Sequence, residues 1–143
     1  MRAKRDKAFP LMDASSAVYP TVRELGTTLY LAYYLPGGEA SALVSFSEVT
    51  DWSYGYPNDE GLQEHRFYGK GLRHYEFHRV VHPGPNAEPV RPYHWIATFH
   101  DGTFEIEAES WRTEASEIAE SAPWKALDSL LAAGENKVLD ELA

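Results

Sequence analysis

Residues 74 to 82 read HYEFHRVVH, which sets three histidines and a glutamate within nine positions of a chain holding six histidines in all. Imidazole and carboxylate are the groups of metal ligation and of acid–base catalysis near neutral pH. On a helix, His74 and His78 would share a face at i,i+4, the spacing of a two-point metal clamp. Tyr75, Phe77, Val80 and Val81 favour a strand instead. At about 3.4 Å per residue the two imidazoles then stand roughly 13 Å apart, too far to hold one ion between them. Any shared chemistry must come from neighbouring strands.

Such neighbours are predicted. The stretch YHWIATFH-DG-TFEIEAES (93–110) places Asp101-Gly102 between two alternating runs, the composition of a two-residue hairpin turn. That turn pairs His100 with Thr103 and Phe99 with Phe104. One face then carries Tyr93, Trp95, Ala97, Phe99, Phe104, Ile106 and Ala108. The other carries His94, Ile96, Thr98, His100, Thr103, Glu105, Glu107 and Glu109, and a slip by one residue would bury that acidic set. If 74–82 pairs with 93–100 at about 4.8 Å, one side of the sheet gathers imidazoles and carboxylates. The candidate catalytic residues are His78, His94 and His100, with Glu76 and Glu105 as partners; a divalent metal is the candidate cofactor. The competing reading is a solvated face whose glutamates serve solubility.

The connection YGYPNDEGLQEHRFYGKGLRHYEF (54–77) is the second candidate. Turn chemistry at Pro57, Asn58, Asp59 and Gly61, and around Lys70, marks a long structured loop, a common carrier of function. Its candidate ligand-binding residues are Tyr56, Asn58, Asp59, Glu60, His65, Tyr68, Lys70 and Arg73. The alternative is that its tyrosines only pin the loop down. YPNDEGL…H…YGKGL, with FHDGTFE further on, resembles a group of small uncharacterised bacterial proteins sharing a Y-P-N-D-E loop and an F-H-D-x-T-F-E hairpin. The resemblance spans 54 to 107 and implies that loop and hairpin form one unit, with His100 and Asp101 beside the loop. It implies no reaction.

The rest of the chain must position these groups. TTLYLAYYL (27–35) and ASALVSFSEVTDWSY (40–54) read as strands of a hairpin through Pro36, Gly37 and Gly38. SAVYPTVREL (16–25) suggests a short helix. HPGPNAEPVRP (82–92) reads as an exposed connector, or a lid if it folds over the imidazoles. Ser121, Pro123, Trp124, Leu127, Leu130 and Leu131 predict a helix over the apolar face of the hairpin, ended or bent at Gly134, with a short second helix after it. The expected fold is one α+β domain over 1–143, mainly an antiparallel sheet of four to six strands, curved or barrel-like, with residues 1–10 as a frayed basic end.

Composition narrows the function. There is no cysteine, which removes disulfides, thiolate metal sites and a cysteine nucleophile, and suits a cytoplasmic protein. No apolar run is long enough to span a bilayer. A net charge of −9 repels phosphate backbones and disfavours conventional nucleic-acid binding. No G-x-S-x-G, P-loop, dinucleotide glycine pattern or H-E-x-x-H occurs. Two functions stay open. The first is an acidic module that binds a small ligand or a protein partner through the 54–73 loop. The second is a small acid–base or metal-dependent enzyme working from the imidazole-rich face. The sequence leaves the oligomeric state open.

Overall fold

A computed structural model describes residues 1–15 and 19–142, with the side chains of 135–142 left aside. Along the chain run β1 (Arg2–Arg5), β2 (Thr21–Leu25), β3 (Thr28–Tyr34), β4 (Ser41–Ser47), β5 (Asp51–Gly55), a 3-10 turn (Leu62–Glu64), β6 (Phe77–Val81), β7 (Tyr93–Thr98), β8 (Thr103–Ala108), β9 (Ser110–Ile118) and α1 (Pro123–Leu142). The described strands form two antiparallel sheets, ordered β1-β6-β7-β8-β5 and β2-β3-β4-β9. The fold is α+β, and the sheets stay open rather than closing into a barrel. No described helix is long and apolar enough to cross a membrane.

The core lies between the sheets. Leu29, Leu31 and Tyr33 of β3 and Ala42, Val44 and Phe46 of β4 meet Phe77, Trp95, Ala97, Phe104 and Ile106 of the facing sheet. The predicted greasy flank of the hairpin is therefore borne out, with Phe99 and Ala108 in the same cluster. Its cover is different. The second sheet packs on that face, whereas α1 lays Ala126 and Leu127 against Ala32 and Leu43 on the outer face of the β2-β3-β4-β9 sheet. β4 is thus buried on both faces, and the buried serines on its outer face are satisfied, Ser41 Oγ donating to the Ser121 carbonyl and Ser45 Oγ to Glu114. Trp124, expected in the helix's packed stripe, is 57% exposed.

Several expectations are corrected. The hairpin pairs Thr98 with Thr103 and Ala97 with Phe104, so the register is shifted by two residues and the reversal centres on His100–Asp101. The Phe99 N–H donates to the Gly102 carbonyl at 3.0 Å. Gly102 does not adopt the left-handed backbone that a glycine in the second turn position would supply; a Cβ there would stand 2.8 Å from the Tyr54 ring. A two-residue slip preserves the side of every residue, so the face assignment survives the wrong turn. Residues 40–54 are two strands in different sheets, broken at Glu48 with φ 53°. Residues 21–25 form a strand rather than helix, residues 16–18 lying outside the described part. The helix from Pro123 runs unbroken through Gly134 to Leu142. Nor is the N-terminus frayed: β1 pairs with β6, Arg2 opposite Val81 and Arg5 opposite His78.

For the outer face of the β1-β6-β7-β8-β5 sheet the sequence offers either a solvated face or an imidazole-rich one. That face is covered instead by the connection after β5, whose Leu62, Phe67 and Leu72 pack on Ala3, Val80 and Ile96. The layers therefore run helix, sheet, sheet, loop. Residues 82–92 form the far end of the β6–β7 hairpin, held by a Val81–Pro89 bridge, a His82 N–H to Glu88 carbonyl bond of 2.8 Å and Val90 packed beneath the loop. They form no lid over the imidazoles.

Candidate functional site

The candidate residues separate into three polar centres around the covered sheet. At the first, Glu105 of β8 faces outward, as the alternation predicted. Its Oε1 accepts from Arg66 Nη2 at 2.7 Å and its Oε2 from Arg66 Nη1 at 3.2 Å, a bidentate pair. His94 Nε2 from β7 lies 3.2 Å from Oε1. His65 Nε2 lies 3.3 Å from Oε2, with a side chain only 3% exposed. That last contact is close but poorly aligned, so it is electrostatic rather than a directed hydrogen bond. The Phe67 N–H donates to His65 Nδ1 at 3.1 Å, which places the proton of the neutral ring on Nε2, facing the carboxylate. Burial alone would push the Glu105 carboxyl up. Contacts from His65, His94 and Arg66 outweigh it and hold the group well below the usual carboxylate range.

At the second centre, the 54–73 loop meets the hairpin tip. The Asp59 N–H donates to the His100 carbonyl at 3.1 Å, and Tyr75 Oη donates to Asp59 Oδ2 at 2.6 Å. His74 Nε2 lies 2.9 Å from the Asp59 carbonyl. His100 sits between Asp101 (3.0 Å) and Asp59 (3.6 Å). The bond to Asp101, helped by the charges of Asp59 and Glu60, raises its pKa. The folded protein therefore holds this proton more tightly than the unfolded chain. The added stability is full below about pH 6.5, the unfolded value, and fades as pH rises through the folded one. His100→Gln should remove that limb. Melting curves from about pH 5 to about pH 9 should show the wild-type advantage over the variant shrinking with pH; an advantage constant across the range would contradict the assignment.

The third centre is interior. His78 is fully buried. Its Nδ1–H donates to the Ile96 carbonyl at 3.2 Å, while the Arg73 N–H donates to Nε2 at 3.1 Å. Burial pushes its pKa down even though Glu76 stands 3.0 Å away. Glu76 also pairs with Arg5 Nε at 3.3 Å. Tyr75 has φ 59°, so residues 74–76 lie outside β6, and His74 and Glu76 are not strand neighbours of His78 on one side of the sheet.

The imidazoles are thus dispersed rather than gathered on one surface. Among the described residues no group of three or more His, Asp or Glu is arranged to hold a metal ion. At Glu105 the reason is chemical, because Arg66 occupies the carboxylate and His65 turns a proton toward it. Of the loop candidates, Asn58 caps the Gly61 N–H at 3.0 Å, while Asp59 and His65 pin the loop. Tyr56, Glu60, Tyr68, Lys70 and Arg73 are exposed, and none lines a described cavity.

Beside the Glu105 centre lies an open concavity of about 110 Å³, walled by Asp51, Ser53, Arg66, His94, Glu105 and Glu107. Asp51 stands directly opposite Glu107, and Glu107 opposite His94, across three adjacent strands. Arg66 is committed to Glu105, and among the described residues neither Asp51 nor Glu107 forms an ion pair. Like charges directly opposed on a sheet repel. Sequence reasoning missed Asp51 and Ser53, because β5 was merged into the preceding strand, and it left Arg66 out of the binding set. An Arg in a connection has no periodicity to aim it. Compared with known protein families, curated proteins and solved structures, the chain matches none.

Proposed function

We propose that the protein is a binding module whose site is the Asp51–Glu107 concavity and whose ligand carries a small organic cation, a primary ammonium group above all. One observation carries the reading: two opposed carboxylates, neither in an ion pair among the described residues, border a cavity large enough for a small group, beside the Glu105–Arg66 pair. A bound ammonium would relieve the repulsion and donate up to three hydrogen bonds. The net charge of −9 favours cationic ligands at long range. The cysteine-free composition supports a cytoplasmic setting.

Titration with propylamine, propanol and propionate at low salt, followed by amide chemical shifts, tests this. The amine should move Asp51, Ser53 and His94, and Asp51→Asn or Glu107→Gln should weaken it about tenfold or more, the equivalent of one lost charged contact. Equal responses to amine and alcohol would remove the proposal. An acid–base enzyme is the second reading, favoured by the His94–Glu105 contact of 3.2 Å on the same wall. His94→Gln discriminates, since it should leave amine binding near wild type if the site only binds.

A further inference from the structure

A second cleft lies at the opposite edge of the same sheet, where residues 6 to 12 cross the mouth of the sandwich. The segment has no regular structure but is pinned repeatedly. The Asp6 N–H donates to the Phe77 carbonyl at 2.8 Å and the Asp13 N–H to the Tyr34 carbonyl at 2.9 Å. Tyr33 Oη donates to the Pro10 carbonyl at 2.7 Å. Phe9 fills the mouth, stacked 4.1 Å from Phe77 and 3.6 Å from Trp111. Beside these pins the segment leaves a concavity of about 230 Å³ with Phe9, Met12, Tyr75 and Phe77 as its apolar floor and Arg5 and Lys7 on its rim. That exceeds the roughly 150 Å³ of an apolar cavity that admits benzene.

The charges on this rim are not equivalent. Both acids nearby are engaged: Asp6 Oδ1 accepts the Ala8 N–H at 3.1 Å, and Glu76 faces Arg5 and His78. Arg5 spends only Nε on Glu76, at 3.3 Å, and keeps its two terminal nitrogens. Lys7 forms no ion pair among the described residues. The four charges on this rim therefore balance, but the groups left without a partner are donors, the two terminal nitrogens of Arg5 and the Lys7 ammonium. Two further features mark the place. Leu11, on the cleft wall, is 59% exposed. Tyr75 is held in the left-handed region at φ 59°, a strained conformation for a bulky side chain and one that concentrates at ligand sites. The strain is maintained by the Tyr75 N–H to Thr98 carbonyl bond of 2.9 Å and by the phenol's bond to Asp59.

We infer that this cleft binds a small aromatic carboxylate, its ring lodged against Leu11, Met12 and Tyr75 beside the Phe9–Phe77 stack and its carboxylate against Arg5 and Lys7. An aromatic floor selects a planar body, and a guanidinium with two free nitrogens matches a carboxylate. The inference is independent of the ammonium site, which lies at the far edge of the sheet on β5 and β8.

Phenylacetate, phenylethanol and phenylethylamine share a ring and differ in head group. Each would be titrated into the full chain and into Glu107→Gln, which disables the other site, with binding read from amide shifts and tryptophan fluorescence, Trp111 lying against Phe9. Phenylacetate should perturb residues 7–12 and 75–77 and bind about tenfold tighter than the alcohol or the amine, equally well in Glu107→Gln. Lys7→Glu, a surface change, should weaken it at least several-fold with an unchanged melting temperature. Equal binding of the three probes, an unaffected Lys7→Glu variant, or perturbations confined to other residues would each overturn the inference.

Discussion

Gly71→Ala should destabilise the protein by about 2–5 kcal/mol, combining left-handed strain with forced overpacking. Gly71 has φ 100°, and a Cβ there would overlap the Ala3 carbonyl oxygen, a backbone atom that cannot rotate away. The contact is where the loop closes over the sheet edge: the Ala3 N–H donates to the Lys70 carbonyl at 2.8 Å, and Ala3 and Leu72 share the small core under the loop. Relief requires β1 or the loop to lift, exposing Leu62, Phe67 and Val80. Gly69, at φ 82° with open space around its Cβ position, is the matched control. Gly69→Ala should lose only the conformational part, about 1–2 kcal/mol. Urea unfolding of both variants measures the difference, and amide exchange at Ala3 should accelerate only in Gly71→Ala. Equal losses would show that the overlap is absorbed at no cost.

The same junction shows what a sequence cannot display. RAKR has the composition of a solvated segment, and nothing local reveals that Ala3 is 2% exposed beneath the distant Leu62–Leu72 loop. Leu62, Phe67 and Leu72 are spaced neither for a strand nor for a helix, so their shared burial was illegible. β9, SWRTEASEI, pairs with β4 along the edge of its sheet and is largely exposed, which removes the apolar alternation that identifies a strand. The hairpin was legible because its inner face is buried from Trp95 to Ala108, so every second residue there had to be apolar. Its turn was not: Asp-Gly signals a left-handed glycine, whereas Gly102 is required by the approach of Tyr54. Glu105 and His94 could be found for the same reason of alternation. The fourth member of their cluster, Arg66, reaches the carboxylate from an aperiodic connection, so only the fold reveals it.

Glu105 ties the loop to β8 through Arg66 and His65, and its removal is the second large effect expected. Its side chain is 20% exposed and faces two imidazoles and a guanidinium. Glu105→Gln retains the shape but leaves one acceptor oxygen and turns an amide NH₂ toward donors. A buried pair broken from one side typically costs about 3–5 kcal/mol; because Arg66 is 57% exposed and its share is screened, about 2–4 kcal/mol is expected here. The partition should be uneven. A double-mutant cycle with Arg66→Gln should yield a coupling below about 1 kcal/mol, and the cycle with His65→Gln a larger one, since the His65 side chain is only 3% exposed and its contact with the carboxylate is little screened. The pH response follows from the depressed carboxyl. Glu105 contributes its full stabilisation above the ordinary glutamate range, near about pH 4.3, and loses it as pH falls through the lower folded value. Acid unfolding of Glu105→Gln should therefore have a shallower slope than wild type below about pH 4, with the two stabilities converging. Exchange data should place the loosening in residues 62–72, with the core between the sheets unchanged. A variant within about 0.5 kcal/mol of wild type, the range of an ordinary surface substitution, would mean that apolar packing of Leu62, Phe67 and Leu72 alone holds the loop, and the wall of the ammonium site would lose its polar anchor.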